Sequence, residues 1–144
     1  MLDEYRARLR GSLDGLSEEQ ARRRLVPSDT TLLGLLKHVT YVEGVWFDQA
    51  FTGRTYREIG IASTPARSFA LSAADTVESV RAAYERRCEL SRQATADREL
   101  ADVVDGRGGR PVWAIYLQVL RELAQHAGHA DILREQILAG RRAT

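Results

Sequence analysis

Nothing in this chain approaches the length of a membrane span: its apolar residues fall in short runs broken by charge, far below the roughly 20 apolar residues a spanning helix needs. Charge of one sign is not in excess either. The 21 Lys and Arg residues stand against 20 Asp and Glu, a formal net charge of +1. They are spread along the chain, so the electrostatic footprint of a nucleic-acid binder is missing. Arg22-Arg23-Arg24 is the one local run, and beside Glu18 and Glu19 it reads as a solvated helix face. Cysteine occurs once, at Cys88, which excludes an intramolecular disulfide and fits a reducing compartment. Set in Tyr84-Glu85-Arg86-Arg87-Cys88-Glu89, with no histidine near it in sequence, it reads as a structural thiol rather than a nucleophile. The opening Met1-Leu2-Asp3-Glu4 lacks the basic and apolar regions of a signal peptide, so the cytoplasm is the expected compartment.

What is present is an ordinary globular composition, 44% hydrophobic and 28% charged over 144 residues, which predicts a single domain spanning 1–144. Four long segments carry helix periodicity and none carries strand alternation, so the fold class is all-α. The first runs from about Leu2 to Leu16. Ser17-Glu18-Glu19-Gln20 reads as a capping box opening a short helix that ends near Pro27. The second long helix opens after Ser28-Asp29-Thr30 and continues to about Phe51, with Gly53 as its stop. Between Gly53 and Ala73 the periodicity vanishes, leaving a long connection of the kind that can lie over a pocket. A third helix spans about Ala74 to Ala94, with Val77, Val80, Ala83, Tyr84 and Leu90 inward. Asp105-Gly106-Arg107-Gly108-Gly109-Arg110 reads as a flexible link. It lacks the Walker pattern and a preceding strand, which argues against a phosphate loop. The last helix lies between Pro111 and Gly140. A four-helix bundle with one additional short helix accounts for the whole pattern.

Histidine is scarce too, and the three present are the most informative residues of the chain. His38 shares a helix face with Leu35, Val42 and Val45. His126 continues the stripe Val119, Leu123, Ala130, Leu133 and Ile137, and His129 follows one turn on. All three are expected to face inward. Neutral imidazoles are ligands for zinc, nickel and similar divalent ions, and bundle helices can project ligands into one site from opposite sides. His126 can share an ion with His129 or with Glu122, each one turn away, and either choice adds to His38 to give three protein ligands. Three rather than four leave an open coordination position for water or a substrate thiolate. Asp131 and Glu135 are nearby carboxylates, with Glu135 expected to pair with Arg134 or Arg141 at the surface. Arg54, Arg57 and Arg110 lie near loops where they could hold a carboxylate.

The stretch Gly34-Leu35-Leu36-Lys37-His38-Val39-Thr40-Tyr41-Val42-Glu43 with Trp46-Phe47, and the stretch Glu122-Leu123-Ala124-Gln125-His126-Ala127-Gly128-His129-Ala130-Asp131-Ile132-Leu133-Arg134-Glu135, resemble the two signatures of the DUF664 or mini-circle branch of the DinB-like superfamily. Their order and separation agree with that family over nearly the whole chain. The resemblance implies an up-down-down-up four-helix bundle, commonly a homodimer, with one divalent metal ion held by one ligand from the second long helix and two from the fourth. In that family the fourth-helix ligands are commonly four residues apart, which falls here on Glu122 and His126. His129 is then the alternative third ligand or a neighbour of metal-bound water.

Relatives include mycothiol-dependent maleylpyruvate isomerase and metal-dependent hydrolases. The resemblance thus implies a metal-dependent S-transferase using a low-molecular-weight thiol such as mycothiol on small electrophilic molecules. The Arg-rich, Lys-poor composition fits the high-GC genomes in which that thiol is plausible. Two other readings stand beside it: a hydrolase of a small amide or ester, with hydroxide in the open position, and a non-catalytic helical dimer that keeps the metal for stability. A small-molecule substrate is expected in the enzyme readings, and neither nucleic acid nor membrane is an expected partner.

Overall fold

A computed structural model describes residues 1–142, with side chains described through Gly140. Helix α1 is Leu2–Gly11, with Asp3 and Glu4 in its first turn and Arg8 and Arg10 in its last, the arrangement the helix dipole favours. It is shorter than the sequence pattern suggests, because the chain turns after Ser12 and reaches a left-handed Gly15. Helix α2, Glu18–Ala21, begins with the expected capping box, the Ser17 hydroxyl accepting from the Gln20 amide and the Gln20 side chain from the Ser17 amide.

Helix α3, Leu32–Gly44, is capped by the Thr31 hydroxyl, which accepts from the Gly34 amide at 3.0 Å. It continues without a break through a π-helical turn, Val45–Gln49, into α4, Ala50–Thr52, and ends at Gly53 in the left-handed region. The long connection that follows holds two single-turn helices, α5 at Tyr56–Ile59 and α6 at Pro65–Ser68, each started by a threonine cap. Helix α7 is Val77–Thr95. Cys88 and Ser91 take the inward positions near its end, whereas Leu90, expected inward, is 43% exposed. A two-residue antiparallel ladder pairs β1, Val103–Val104, with β2, Arg110–Pro111, around the tight turn α8, Gly106–Gly109. Helix α9 runs Val112–Arg142, past Gly140 where the sequence pattern placed its end.

Side-chain pairs fix the direction of each long helix. Arg8 meets Asp131 and the Ser12 carbonyl meets Arg134, so α1 and α9 are parallel. Asp3 with Arg92, Arg10 with Glu85 and Asp14 with Arg81 make α1 and α7 antiparallel. Lys37 with Asp75 and Asp48 with Arg87 make α3 and α7 parallel. His38 beside His126 and Phe47 beside Tyr116 make α3 and α9 antiparallel. The bundle is up-down-down-up, as the resemblance implied.

Its core is aliphatic, built from Leu9, Leu33, Leu36, Ile115, Leu123 and their neighbours, with a charge pair inside it. Arg6 grips the fully buried Glu43 through two parallel bonds, Nε to Oε1 at 2.8 Å and the second guanidinium nitrogen to Oε2 at 2.9 Å, tying α1 to α3. Beside this pair lies Cys88, 4% exposed, its thiol pushed up to about 12 by burial and then by the Glu43 charge.

Candidate metal centre

The periodicity that places His38 among the core residues of α3 also aims it at α9. Its ring centroid lies 4.7 Å from that of His126, the two planes crossed at 77°. One turn before His126 on α9 stands Glu122, its Oε2 3.7 Å from His126 Nε2. One ligand atom from each of His38, Glu122 and His126 lies within 4.8 Å of the others, close enough to hold a single cation. The structure thus brings together three of the four residues singled out in the sequence. His129 stands apart: its ring is 5.5 Å from His126, but the residue is exposed, not inward as expected.

Two of the three, His38 and Glu122, are held by residues outside the cluster. His38 Nδ1 lies 2.7 Å from the Ser68 hydroxyl, and that hydroxyl already donates its one hydrogen to the Pro65 carbonyl. The imidazole must therefore donate from Nδ1, which leaves the Nε2 lone pair free for a metal ion. Phe69 lies flat against the same ring, 4.0 Å away and 11° from parallel, and fixes its plane. Glu122 accepts at Oε1 from Gln118 Nε2 at 2.9 Å, and Gln118 in turn accepts from Arg121. His126 Nδ1 is buried and has no hydrogen-bond partner.

Ser68 and Phe69 reach the site because of Gly34. A Cβ built there would fall 2.6 Å from the Phe69 carbonyl oxygen, so only a glycine lets the α6 segment lie against α3 at this point. Sequence periodicity could not reveal either residue, since α6 is a single turn. The one available signal was Thr64-Pro65, a cap residue followed by proline at the first helical position. Gln118 carried a weaker signal, standing one helical turn before Glu122.

Electrostatics suit cation binding. Burial, and next the neighbouring His126, hold the His38 imidazole down at about 4, and burial, then His129, holds His126 at about 4. Both rings are neutral at physiological pH, as metal ligands must be. Two imidazoles and a carboxylate with an unpartnered buried nitrogen form a donor set that fits a divalent ion of borderline softness. A cavity of about 170 Å³ between α3 and α7 shares Ser68 with this site but is lined by none of the three ligand candidates. The other charged residues noted in the sequence lie elsewhere: Asp131 pairs with Arg8, Arg134 with the Ser12 carbonyl, and Arg54 with Asp48. Arg57 is exposed, and the Arg141 side chain is outside the described residues.

Among the described residues no helix is long and apolar enough to cross a membrane. Residues 1–139 match the sequence pattern of a family described as mycothiol-S-transferase. None of the curated proteins compared with the chain matches it.

Proposed function

Because the chain belongs to the mycothiol-S-transferase family, one of the DinB-like families, we propose that it joins a low-molecular-weight thiol, mycothiol or a close analogue, through its sulfur to a small electrophile at a divalent metal centre. The observation that carries this reading is the convergence of His38, Glu122 and His126 from two helices on one point. Zinc or nickel fits the donor set. When bound, such an ion supplies the positive charge that lowers the pKa of a coordinated thiol and keeps a position open for it.

The chain's own residues do the rest. Neutral His38 and His126 present nitrogen lone pairs, Ser68 sets the His38 tautomer, and Gln118 holds one Glu122 oxygen so that the other faces His126. Glu122 brings one negative charge, which leaves the centre less positive than three imidazoles would and moderates how far a thiol is acidified. In this reading the exposed His129, next to His126, takes the thiol proton and passes it to solvent. The thiolate then attacks the electrophilic carbon, a carbon–sulfur bond forms, and the leaving group departs with the electron pair of the broken bond. The same reading takes the protein to be cytoplasmic and a homodimer, the second of which sedimentation equilibrium tests.

The decisive measurement is metal content by elemental analysis together with turnover. Wild-type protein should bind close to one divalent ion per chain, and His38→Ala and His126→Ala should lose it. Metal-loaded protein should consume 1-chloro-2,4-dinitrobenzene only when mycothiol is added. Thiol-independent turnover of that arene, or of a panel of small amides and esters, would sink the transferase reading in favour of a hydrolase. A metal whose removal lowers the melting temperature, with no turnover of any kind, would leave the structural role.

A further inference from the structure

Several arginines of this chain sit against a carboxylate, among them Arg6 on Glu43, Arg81 on Asp14 and Arg87 on Asp48. Arg107 and Arg110 share another arrangement. Among the described residues neither is paired with an acid. Arg107 donates to the Tyr56 hydroxyl at 3.1 Å, Arg110 Nε donates to the Arg107 carbonyl at 3.3 Å, and both guanidiniums lie over the Trp46 ring, 4.6 and 5.7 Å from its centroid. Two like charges on one indole repel each other, and a bound anion would relieve them.

Their placement is enforced by the backbone. Arg107 has φ 55°, in the left-handed region that a residue with a Cβ avoids, and Gly108 and Gly109 follow it there. The turn is pinned to α4 at Gly106, where a Cβ would fall 2.3 Å from the Ala50 carbonyl oxygen. A non-glycine residue kept in this conformation, at a turn packed against Ala50, points to a task for its side chain.

The arginine pair also stands in line with the metal centre. Trp46 follows His38 along one uninterrupted helix, roughly 12 Å further on at the usual rise per residue. Tyr41 and Tyr56 fill the interval, the Tyr41 ring 6.0 Å from His38 and 5.9 Å from Tyr56. Burial, and next the Tyr56 phenol, push the Tyr41 hydroxyl up to about 12, so Tyr41 stands between the two sites as a neutral phenol.

We propose that Arg107 and Arg110, laid over Trp46, are a subsite for a carboxylate of the substrate whose other end reacts at the His38, Glu122 and His126 centre. The planar guanidinium forks match a carboxylate, and their separation from the centre selects an elongated molecule with the acid group at the end away from the reacting atom. The identity of the reacting end rests on the function proposed above, whereas the anion subsite itself does not.

The test separates the two. In a Trp113→Phe background Trp46 is the sole tryptophan, and its fluorescence reports binding of 6-acetamidohexanoate and of the methyl ester of that acid. The acid should bind about tenfold tighter, as one charge-assisted contact allows. The preference should vanish in Arg107→Gln/Arg110→Gln, whose melting temperature should be kept because both side chains are exposed. Equal binding of acid and ester, or an acid preference that survives the double substitution, overturns the subsite. Transfer assays then locate the carboxylate. Preference for 6-bromoacetamidohexanoate over its ester places it on the electrophile, and preference for 6-mercaptohexanoate over its ester places it on the thiol. Either result, abolished by the double substitution, supports the subsite. Arginine-dependent binding with no transfer at all would overturn the transferase function and leave the subsite standing.

Discussion

The Nδ1 of His38 donates to the Ser68 hydroxyl at 2.7 Å, and that single contact decides which nitrogen of the ring faces His126 and Glu122. Ser68 is buried and one residue before Phe69, which covers the face of the same imidazole. The connection between the second and third long helices thus supplies both the orientation and the tautomer of the proposed ligand.

Replacing Ser68 with Ala should therefore weaken metal binding by roughly 10–100-fold, the usual effect of removing a hydrogen-bond partner of a ligating histidine. The fold should be retained. Competition with a chromogenic chelator measures the loss, and an unchanged affinity would remove Ser68 from the site.

Gly34→Ala should act on the same site from the other side of the chain. The added methyl meets the Phe69 carbonyl oxygen at 2.6 Å and must displace it. Overpacking of this kind destabilises by about 1–3 kcal/mol, and here it should also lower metal affinity by moving Ser68. Urea melts with a parallel chelator titration separate the two effects. A stability loss with unaltered affinity would show that α6 shifts as a unit without disturbing His38.

Glu43→Ala should be the most damaging single substitution, because it takes away the buried two-point partner of the Arg6 guanidinium and leaves only the exposed Asp3 carboxylate beside it. The expected loss is about 3–5 kcal/mol, and Arg6→Met/Glu43→Leu should restore much of it, since an apolar pair of similar volume avoids the desolvation of both charges. Denaturant unfolding of the three proteins checks this. A double variant no better than Glu43→Ala would assign the pair a role beyond stability.

In the metal-free protein, stability should fall between pH 6.5 and pH 4. His38 and His126 are held at about 4 in the folded state, against an ordinary value near 6.5. Across that interval the unfolded chain takes up protons that the folded one refuses, so acid favours unfolding; above pH 6.5 neither state is protonated and the dependence disappears. The full effect is about 3 kcal/mol for each ring. The carboxylates of Asp3 and Asp75, held below their ordinary values, add their own loss only at still lower pH. Unfolding free energies of metal-free protein at pH 7 and pH 4.5 test the prediction, and His38→Phe should shrink the difference.

Those residues were legible in the sequence to different degrees, for physical reasons. The capping box that opens α2 and the stripes carrying His38 and His126 follow from local chemistry and helix period, and the structure has them, whereas the α3 cap falls on Thr31, one residue past the Ser28-Asp29-Thr30 that the sequence offered. Glu122 and His129 could not be ranked by spacing alone, although helix geometry favours the former. Four residues back turns about 40° from the direction of His126, and three residues forward about 60°. In the structure Glu122 is half-buried and His129 exposed. The Arg6 and Glu43 pair was illegible because its members are 37 residues apart and a glutamate amid an apolar run gives no hint of its partner. Ser68 and Phe69 were hidden for a related reason: a one-turn helix has no period to detect.

Cys88, shut behind the Arg6 and Glu43 pair with its thiol pushed up to about 12, has a use in the laboratory. A thiol so protected reacts with an alkylating reagent only when the bundle opens, so its rate of labelling measures the population of opened molecules. Because Cys88 is the sole cysteine, one mass shift per molecule reads that population directly. The protein thereby carries its own stability gauge, read in buffer free of added thiols.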